Sequence, residues 1–385
     1  MNSVTRYSFA MAALACSALL PTAKLQAQAW TLLQPSGQNY NLFRFSSTTV
    51  YDPVSNELIV FGGQTQEAGG PNLNDTWILS NANGLGGPSA WTNLIANGAP
   101  GNPPALHGQS AVYDSVNNIM IVFGGCEGGC EPVSNSVWLL SYANGQGGTP
   151  TWSQLSPTGG PPAPRQSHQA VYDPNTNAMT IWGGQNGGGY YGGYTDVWVL
   201  SNANGLGGAP SWTPLSPSGG SPHNESANAV YDPAHNVMTV FGGDRTAGEH
   251  CTSSKANAVW ALSNANGQGG APVWMNLIAE GAHGSPSPRA AAAAAYNAGS
   301  NAMTVFGGFA ADGSYLGDSW VLSNANGIGG TPSWTRLRPT GTYKPVPGAR
   351  WNGAGMDATN NRFMMWGGVS PDGPLWGAWV LSPAN

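Results

Sequence analysis

The chain has 385 residues, too many for one small domain but within reach of a single large all-β one. Charged residues make up only 8% of it, 18 acidic against 12 basic, and no cluster of Lys and Arg forms the basic stripe that nucleic-acid binding needs. Its 56 Gly and 30 Pro approach the level of a disordered chain, yet 16 Trp, 13 Tyr and 9 Phe are too many aromatics for one; many short strands joined by Gly, Pro and Asn turns reconcile the two.

In chain order, the first feature reads as an export signal. Arg6 precedes an apolar run from Phe9 to Leu20, and Ala27-Gln28-Ala29 offers small-x-small cleavage after Ala27 or Ala29. The run is shorter than the roughly 20 apolar residues of a spanning helix, and nothing later is long and apolar enough to span. Cys16 is a poor lipid-attachment site, because Ala13, three residues before it, is not Leu. The expectation is a soluble secreted or periplasmic protein, with residues 1–29 as signal peptide and 30–385 as the folded part. Without Arg6 and Lys24, ten basic residues face 18 acidic ones.

Beyond residue 30 the chain repeats itself with a period of about 60 residues. Gly-Gly pairs close apolar, β-prone runs at 62–63, 124–125, 183–184, 242–243, 307–308 and 367–368, in "ELIVFGG", "IMIVFGG", "AMTIWGG", "VMTVFGG", "AMTVFGG" and "RFMMWGG". A Trp column follows at 77, 138, 198, 260, 320 and 379, and another stands at 30, 91, 152, 212, 274 and 334. Each unit reads as four strands: one ending in "VYDP", the Gly-Gly strand, a "VWVL" strand and a "SWTPL" strand. The glycines are not a phosphate loop, since no Lys-Ser/Thr and no helix follows them.

A Gly-Gly after an apolar strand, then a Trp-bearing strand and a further Trp, resembles the kelch repeat, here six times over and across essentially the whole chain after the signal. The resemblance implies an all-β fold: a six-bladed β-propeller of four-stranded antiparallel blades, similar to the central domain of galactose oxidase. The chain begins on an outer-type strand at Trp30 and ends on the third-strand segment "AWVLSPAN", so Trp30–Leu33 is expected to complete the last blade and close the ring.

Antiparallel strands send their loops alternately to opposite ends. The "YDPxxN" turns and the recurring "SNANGLGG" loops therefore share one face, and the remaining loops share the other. The recurring loops read as hairpin scaffolding: Asn81-Ala82-Asn83-Gly84 has the alternating oxygens of a calcium loop but none of its carboxylates, and no metal or cofactor is expected. The loops between second and third strands differ from blade to blade and carry Tyr190, Tyr191, Tyr194, Tyr315 and Trp376 among glycines. Unlike loops on a rigid scaffold are where binding function gathers. The alternative is that these aromatics pack their own loops.

Arg44, Arg165 and Arg289 occupy one equivalent position at the start of the inner strand, in blades one, three and five, with His107 beside that position in blade two and Arg350 one residue off register in blade six. In kelch propellers, arginines at such positions contact acidic ligands, and the resemblance carries that role to Arg44, Arg165 and Arg289. A planar guanidinium fork suits a carboxylate. The alternative is that each Arg pairs with a neighbouring carboxylate or carbonyl. Cys126 and Cys130 could close a small disulfide loop in an oxidising compartment, and Cys251 has no evident partner. His168 reads equally as a strand residue facing its neighbours.

The kelch resemblance brings enzymes into view without supplying their residues. The copper oxidases related to galactose oxidase need paired Tyr and His ligands and a crosslinked Cys, and nothing here aligns to that set. The Ser-x-Asp-x-Gly-x-x-Trp turns of sialidases are missing as well. A glycoside hydrolase would need two spaced carboxylates, for which the central face offers Glu225 and Asp244. The sequence is read as an exported monomeric binding module for a glycan or protein, with a carbohydrate-active enzyme or a surface structural protein as the alternatives.

Overall fold

The apolar Gly-Gly runs are buried on both faces, as strands sandwiched between two sheets must be, whereas the first strand of each unit alternates between buried and half-buried residues. The structure, a computed structural model, describes residues 28–38, 42–65, 70–128, 132–187, 193–222, 224–245, 254–340, 353–375 and 377–384. Six four-stranded antiparallel sheets form, with no α-helix among the described residues.

Blade one is built from Thr48–Asp52, Glu57–Phe61, Thr76–Ser80 and Ala90–Ile95. Blades two to five repeat that order from Ser110, Gln169, Asn228 and Ala293. In blade six, Gly353–Asp357, Arg362–Trp366 and Ala378–Ser382 are completed by Ala29–Leu33, with Trp30 opposite Leu381 and Leu32 opposite Trp379. The expected closure is therefore observed, one residue longer than the sequence suggested. Thr340, following blade five, adds a further tie through its N–H to Gln28 O at 2.7 Å. The first strands neighbour one another in a closed cycle around the axis.

Between blades the packing is aromatic. The residue before each Gly-Gly meets the fourth-strand Trp of the next blade: Phe61 with Trp152, Phe123 with Trp212, Trp182 with Trp274 and Phe241 with Trp334, at centroid distances of 4.6 to 5.6 Å. The last two pairs cross the closure, Phe306 with Trp30 at 5.1 Å and Trp366 with Trp91 at 5.0 Å. Every interface thus has one tilted or edge-on pair, the geometry that ring quadrupoles favour.

The repeated loop has a defined task. In blade three, Asn177 is held at φ 52 by the turn after the first strand and donates from Nδ2 to Asn204 Oδ1 at 2.6 Å; Asn204 in turn donates to Asp114 Oδ2 of blade two at 2.6 Å. The same clasp joins Asn83 to Asp357, Asn144 to Asp52, Asn266 to Asp173 and Asn326 to Asp232. Asn tolerates the left-handed turn and supplies both donor and acceptor, which explains the loop's monotony.

Replacing Asn204 by Ala removes a hydrogen bond to a carboxylate and should lower unfolding free energy by about 2–3 kcal/mol in urea. Leu206→Ala, at an exposed tip of the same loop, should change it by less than about 0.5 kcal/mol. Burial pushes the Asp114, Asp232 and Asp357 carboxyls up, but Asn side chains and turn N–H groups, joined by His235 at Asp232, outweigh it and hold them below the usual carboxylate range. A depressed folded pKa contributes stability that is fully present above the unfolded value near 3.9 and lost as pH falls through the folded one. The urea midpoint should fall as pH drops below about 4, and less steeply in Asn204→Ala than in the parent chain.

Candidate functional site

On the opposite face, each second strand ends in its two glycines, both at positive φ. A Cβ on Gly63 would lie 2.8 Å from Ser47 Cβ and 2.9 Å from Phe45 O, so glycine is required there. The second glycine's N–H donates across the interface to the start of the next blade: Gly63 to Leu106 O, Gly125 to Arg165 O, Gly243 to Arg289 O and Gly368 to Arg44 O.

The three in-register arginines lie inside this junction. Arg44, Arg165 and Arg289 are no more than 1% exposed. Arg44 forks onto Asp75 at 2.7 and 3.0 Å, Arg165 onto Asp196 at 2.7 and 2.8 Å, and Arg289 onto Asp318 at 2.7 and 3.1 Å. Each also donates to the carbonyl of the first glycine of its own blade, Gly62, Gly183 or Gly307. The same carboxylates accept Trp77, Trp198 and Trp320 Nε1 at 2.7 Å. Burial pushes Asp196 and Asp318 up, and Arg165 and Arg289 more than reverse it. The expected arginine-ringed mouth for an acidic ligand is therefore corrected: these guanidinium groups are sealed into scaffold ion pairs. A signal for this stood in the chain, because an Asp two residues before the Trp occurs in the same three blades that carry the Arg. Blade two instead holds Leu106 and Ser136.

The other candidates are distributed unevenly. Tyr194 lies against Arg165, with the guanidinium 4.3 Å from its ring centroid, so it packs on the scaffold. Tyr315 is half-buried and meets Phe309 edge-on at 5.2 Å. His107 Nδ1 is 3.1 Å from Asn72 Oδ1, and burial lowers its pKa. Cys126 is buried and its Sγ lies 3.6 Å from Gly128 O. Tyr190, Tyr191, Trp376, Arg350, Cys130 and Cys251 lie outside the described residues, and the Cys126–Cys130 pairing with them.

Around the axis the mouth is laced by backbone. Gly108 N–H donates to Ser46 O, Ser167 to Gly108 O, Ser226 to Ser167 O and Ala291 to Ser226 O, at 2.7 to 3.0 Å, one bond per blade step. All five residues have positive φ; four are not glycine, a strain that persists where the surroundings enforce it. Inside this collar is a cavity of about 210 Å³, walled by the starts of the inner strands of blades one to five.

In that wall Ser110 Oγ is 2.7 Å from His168 Nε2, the spacing of a nucleophile and its base. Burial, and then the Arg165 charge, lower the His168 pKa to about 3, and its Nδ1 finds no hydrogen-bond partner among the described residues. A base that weak, with no orienting carboxylate, does not activate a hydroxyl near neutral pH. Beside the mouth, Glu225 pairs in a short sheet with Asp244, which binds Lys255. Burial first and the Asp244 charge second raise Glu225 to about 7, with Lys255 opposing. Among the described residues no three of His, Cys, Asp and Glu converge as a metal site would need.

A family model described as the KLHDC2/KLHL20/DRC7 Kelch-repeats domain matches residues 15–200 and 87–268. The Rab9 effector protein with kelch motifs from Mus musculus is 34% identical over 112 residues, 29% of this chain and 26% of that protein. Dynein regulatory complex subunit 7 of Chlamydomonas reinhardtii is 29% identical over 136 residues, 35% of this chain and 10% of that protein. The chain thus matches about a quarter or less of those relatives' lengths. The solved structure of YjhT superposes with a TM-score of 0.60 at 15% identity, over 90% of this chain and 95% of that one, and so shares the fold.

Arg44→Ala leaves Asp75 buried without its partner and should cost about 3–5 kcal/mol of unfolding free energy. Arg44→Leu combined with Asp75→Ser, the pair present in blade two, should recover at least half of that loss by urea denaturation.

Proposed function

The chain belongs to the kelch-repeat family, and on that premise we propose that it is an exported binding module that recognises a glycan or protein ligand through the variable-loop face and the mouth of the channel. One observation carries the reading: the two faces of the ring are built differently. The scaffold face repeats one Asn–Asp clasp from blade to blade. The other face stands six unlike loops on a collar fixed by hydrogen bonds. Two of the relatives are named as an effector of Rab9 and as a subunit of a regulatory complex, and both names describe association with other proteins.

Export rests on the signal-like N-terminus. Cleavage after Ala27, of the two candidate positions, keeps Gln28, whose carbonyl accepts the Thr340 N–H. With the three arginines committed to Asp75, Asp196 and Asp318, nothing in the reading asks for an acidic ligand.

A carbohydrate-active enzyme is the second reading, favoured by one observation. The Glu225 carboxyl, raised to about 7 beside Asp244, has the acidity that suits a general acid at neutral pH.

On an array of glycans and candidate proteins, the chain should capture at least one ligand selectively. Tyr315→Ala should weaken that capture while lowering unfolding free energy by only about 1 kcal/mol, the worth of its ring contact with Phe309. No capture on either class of array would count against the binding module.

A further inference from the structure

We infer that the scaffold face carries a second interaction surface, an apolar arc over blades one to three that docks a protein segment both apolar and basic. This surface is separate from the loop face and its ligand. The polar groups of the scaffold face are committed to the clasps, and what it leaves exposed is apolar. Among the described residues seven large apolar side chains are exposed, and six of them, Val54, Leu85, Val116, Tyr142, Leu206 and Ile328, stand at turn and loop tips of this one face. Val54 and Val116 are 82% and 83% exposed. Single exposed apolar residues are ordinary, but their gathering on one surface marks an interaction site.

The clasps draw the tips together. Asp52 Oδ1 accepts the Val54 N–H at 2.9 Å, and its Oδ2 accepts Asn144 Nδ2 at 2.9 Å from the blade-two loop that carries Tyr142. Asp114 Oδ1 accepts the Val116 N–H at 3.1 Å, and its Oδ2 accepts Asn204 Nδ2 from the blade-three loop. Asn204 Oδ1 in turn accepts the Leu206 N–H at 2.8 Å. Each carboxylate thus lies between an apolar turn tip of its own blade and an apolar loop of the next.

Tyr142 departs from the repeat in a way that serves such a surface. Its counterparts Asn81, Asn202, Asn264 and Asn324 hold the left-handed backbone at φ 48 to 50 and donate across the hairpin to Pro88, Ala209, Ala271 and Thr331 O. Tyr142 holds φ 53 with no amide to make that bond, and it is 41% exposed. A bulky side chain is strained in that region. Blade two therefore gives up a hairpin bond and accepts strain to present an aromatic ring to solvent, and Tyr is a side chain that anchors interfaces.

Charge decides the occupant. Asp52, Asp114 and Asp173, beneath the arc, accept from Ser, Thr and Asn side chains and turn N–H groups, none of them charged. The basic side chains of this face among the described residues, His235 and Arg362, belong to blades four and six. Burial first, and then the charges of Asp52, Glu57 and Asp114, raise the Tyr113 phenol, so the field extends beyond the clasps. A second copy docked here would face its own carboxylates. Lys or Arg beside apolar residues would instead be attracted within a screening length of about 8–10 Å.

The test is fluorescence anisotropy of a labelled short peptide alternating Leu and Lys, beside counterparts alternating Leu with Glu and Ser with Lys. It is run on the chain, on Tyr142→Asn, on a Val54→Ser, Val116→Ser double variant and on Met275→Ser, with sedimentation of the chain alone. Met275, 42% exposed on the fourth strand of blade four, is the apolar control away from the face. The Leu/Lys peptide should bind saturably, more tightly than either counterpart and less tightly in high salt. Tyr142→Asn should weaken it about tenfold while raising the urea midpoint, because the hairpin bond returns and the backbone is relieved. The double variant should weaken it further, and Met275→Ser should leave it unchanged. No saturable binding of the Leu/Lys peptide, equal binding of the Leu/Glu peptide, or binding unchanged in both Tyr142→Asn and the double variant would each overturn the proposal. So would a dimer of the chain alone that the double variant abolishes, since the occupant would then be a second copy. Ligand capture by the loop face should survive all of these variants, which keeps the two surfaces distinguishable.

Discussion

The rest of the structure depends on one contact repeated at every blade interface: the aromatic side chain before each Gly-Gly tilted against the fourth-strand Trp of the next blade. A blade has two apolar faces and can bury neither alone. The stacking must therefore run all the way round, and the last partner, Trp30, comes from the opposite end of the chain. Burial of large aromatic rings supplies most of the energy of such an interface, and their mutual orientation adds a smaller directional part. The polar devices lie at the two ends of this apolar layer. Asn–Asp clasps join blades on the scaffold side, and glycine N–H groups reach the next blade's first strand on the other.

That division gives the molecule its functional asymmetry. The scaffold face is occupied by its own turns, with Asn side chains satisfied on both donor and acceptor sides. On the loop face, the buried Arg–Asp–Trp networks of blades one, three and five fix where the variable loops leave the sheets. Strength of this kind is structural, since a buried ion pair is costly to break but has little left to offer a ligand. What the loop face offers instead is half-exposed aromatic surface such as Tyr315 and a cavity on the axis that, among the described residues, is walled by the strand starts of blades one to five.

Much of the architecture was legible in the chain because it is written in columns. The Gly-Gly pairs, the two Trp series and the missing fourth strand of blade six lead to six blades and to the N-terminal closure. The direction of the aromatic contact was not legible, because it depends on which face each residue presents to which neighbour. Of the two roles open to Arg44, Arg165 and Arg289 in the sequence, the structure shows the ion pair, which is legible only when two columns are compared. Placement near the axis suggested a ligand, whereas Asp75, Asp196 and Asp318, some thirty residues downstream in the same blades, are the partners. The cavity left no sequence signal at all, since it is walled by strand starts from five blades far apart in the chain.

The most direct test of this account is the stability of Trp30→Ala measured beside Trp212→Ala in urea. Trp212 sits in an interior interface, while Trp30 sits in the interface closed by the N-terminal strand. If closure is one interface among six equals, the two substitutions should cost similar amounts, about 3–5 kcal/mol each, with a single cooperative transition. A Trp30→Ala chain within about 0.5 kcal/mol of the parent, with Trp212→Ala strongly destabilised, would show that the ring does not depend on its closing strand and would contradict the account.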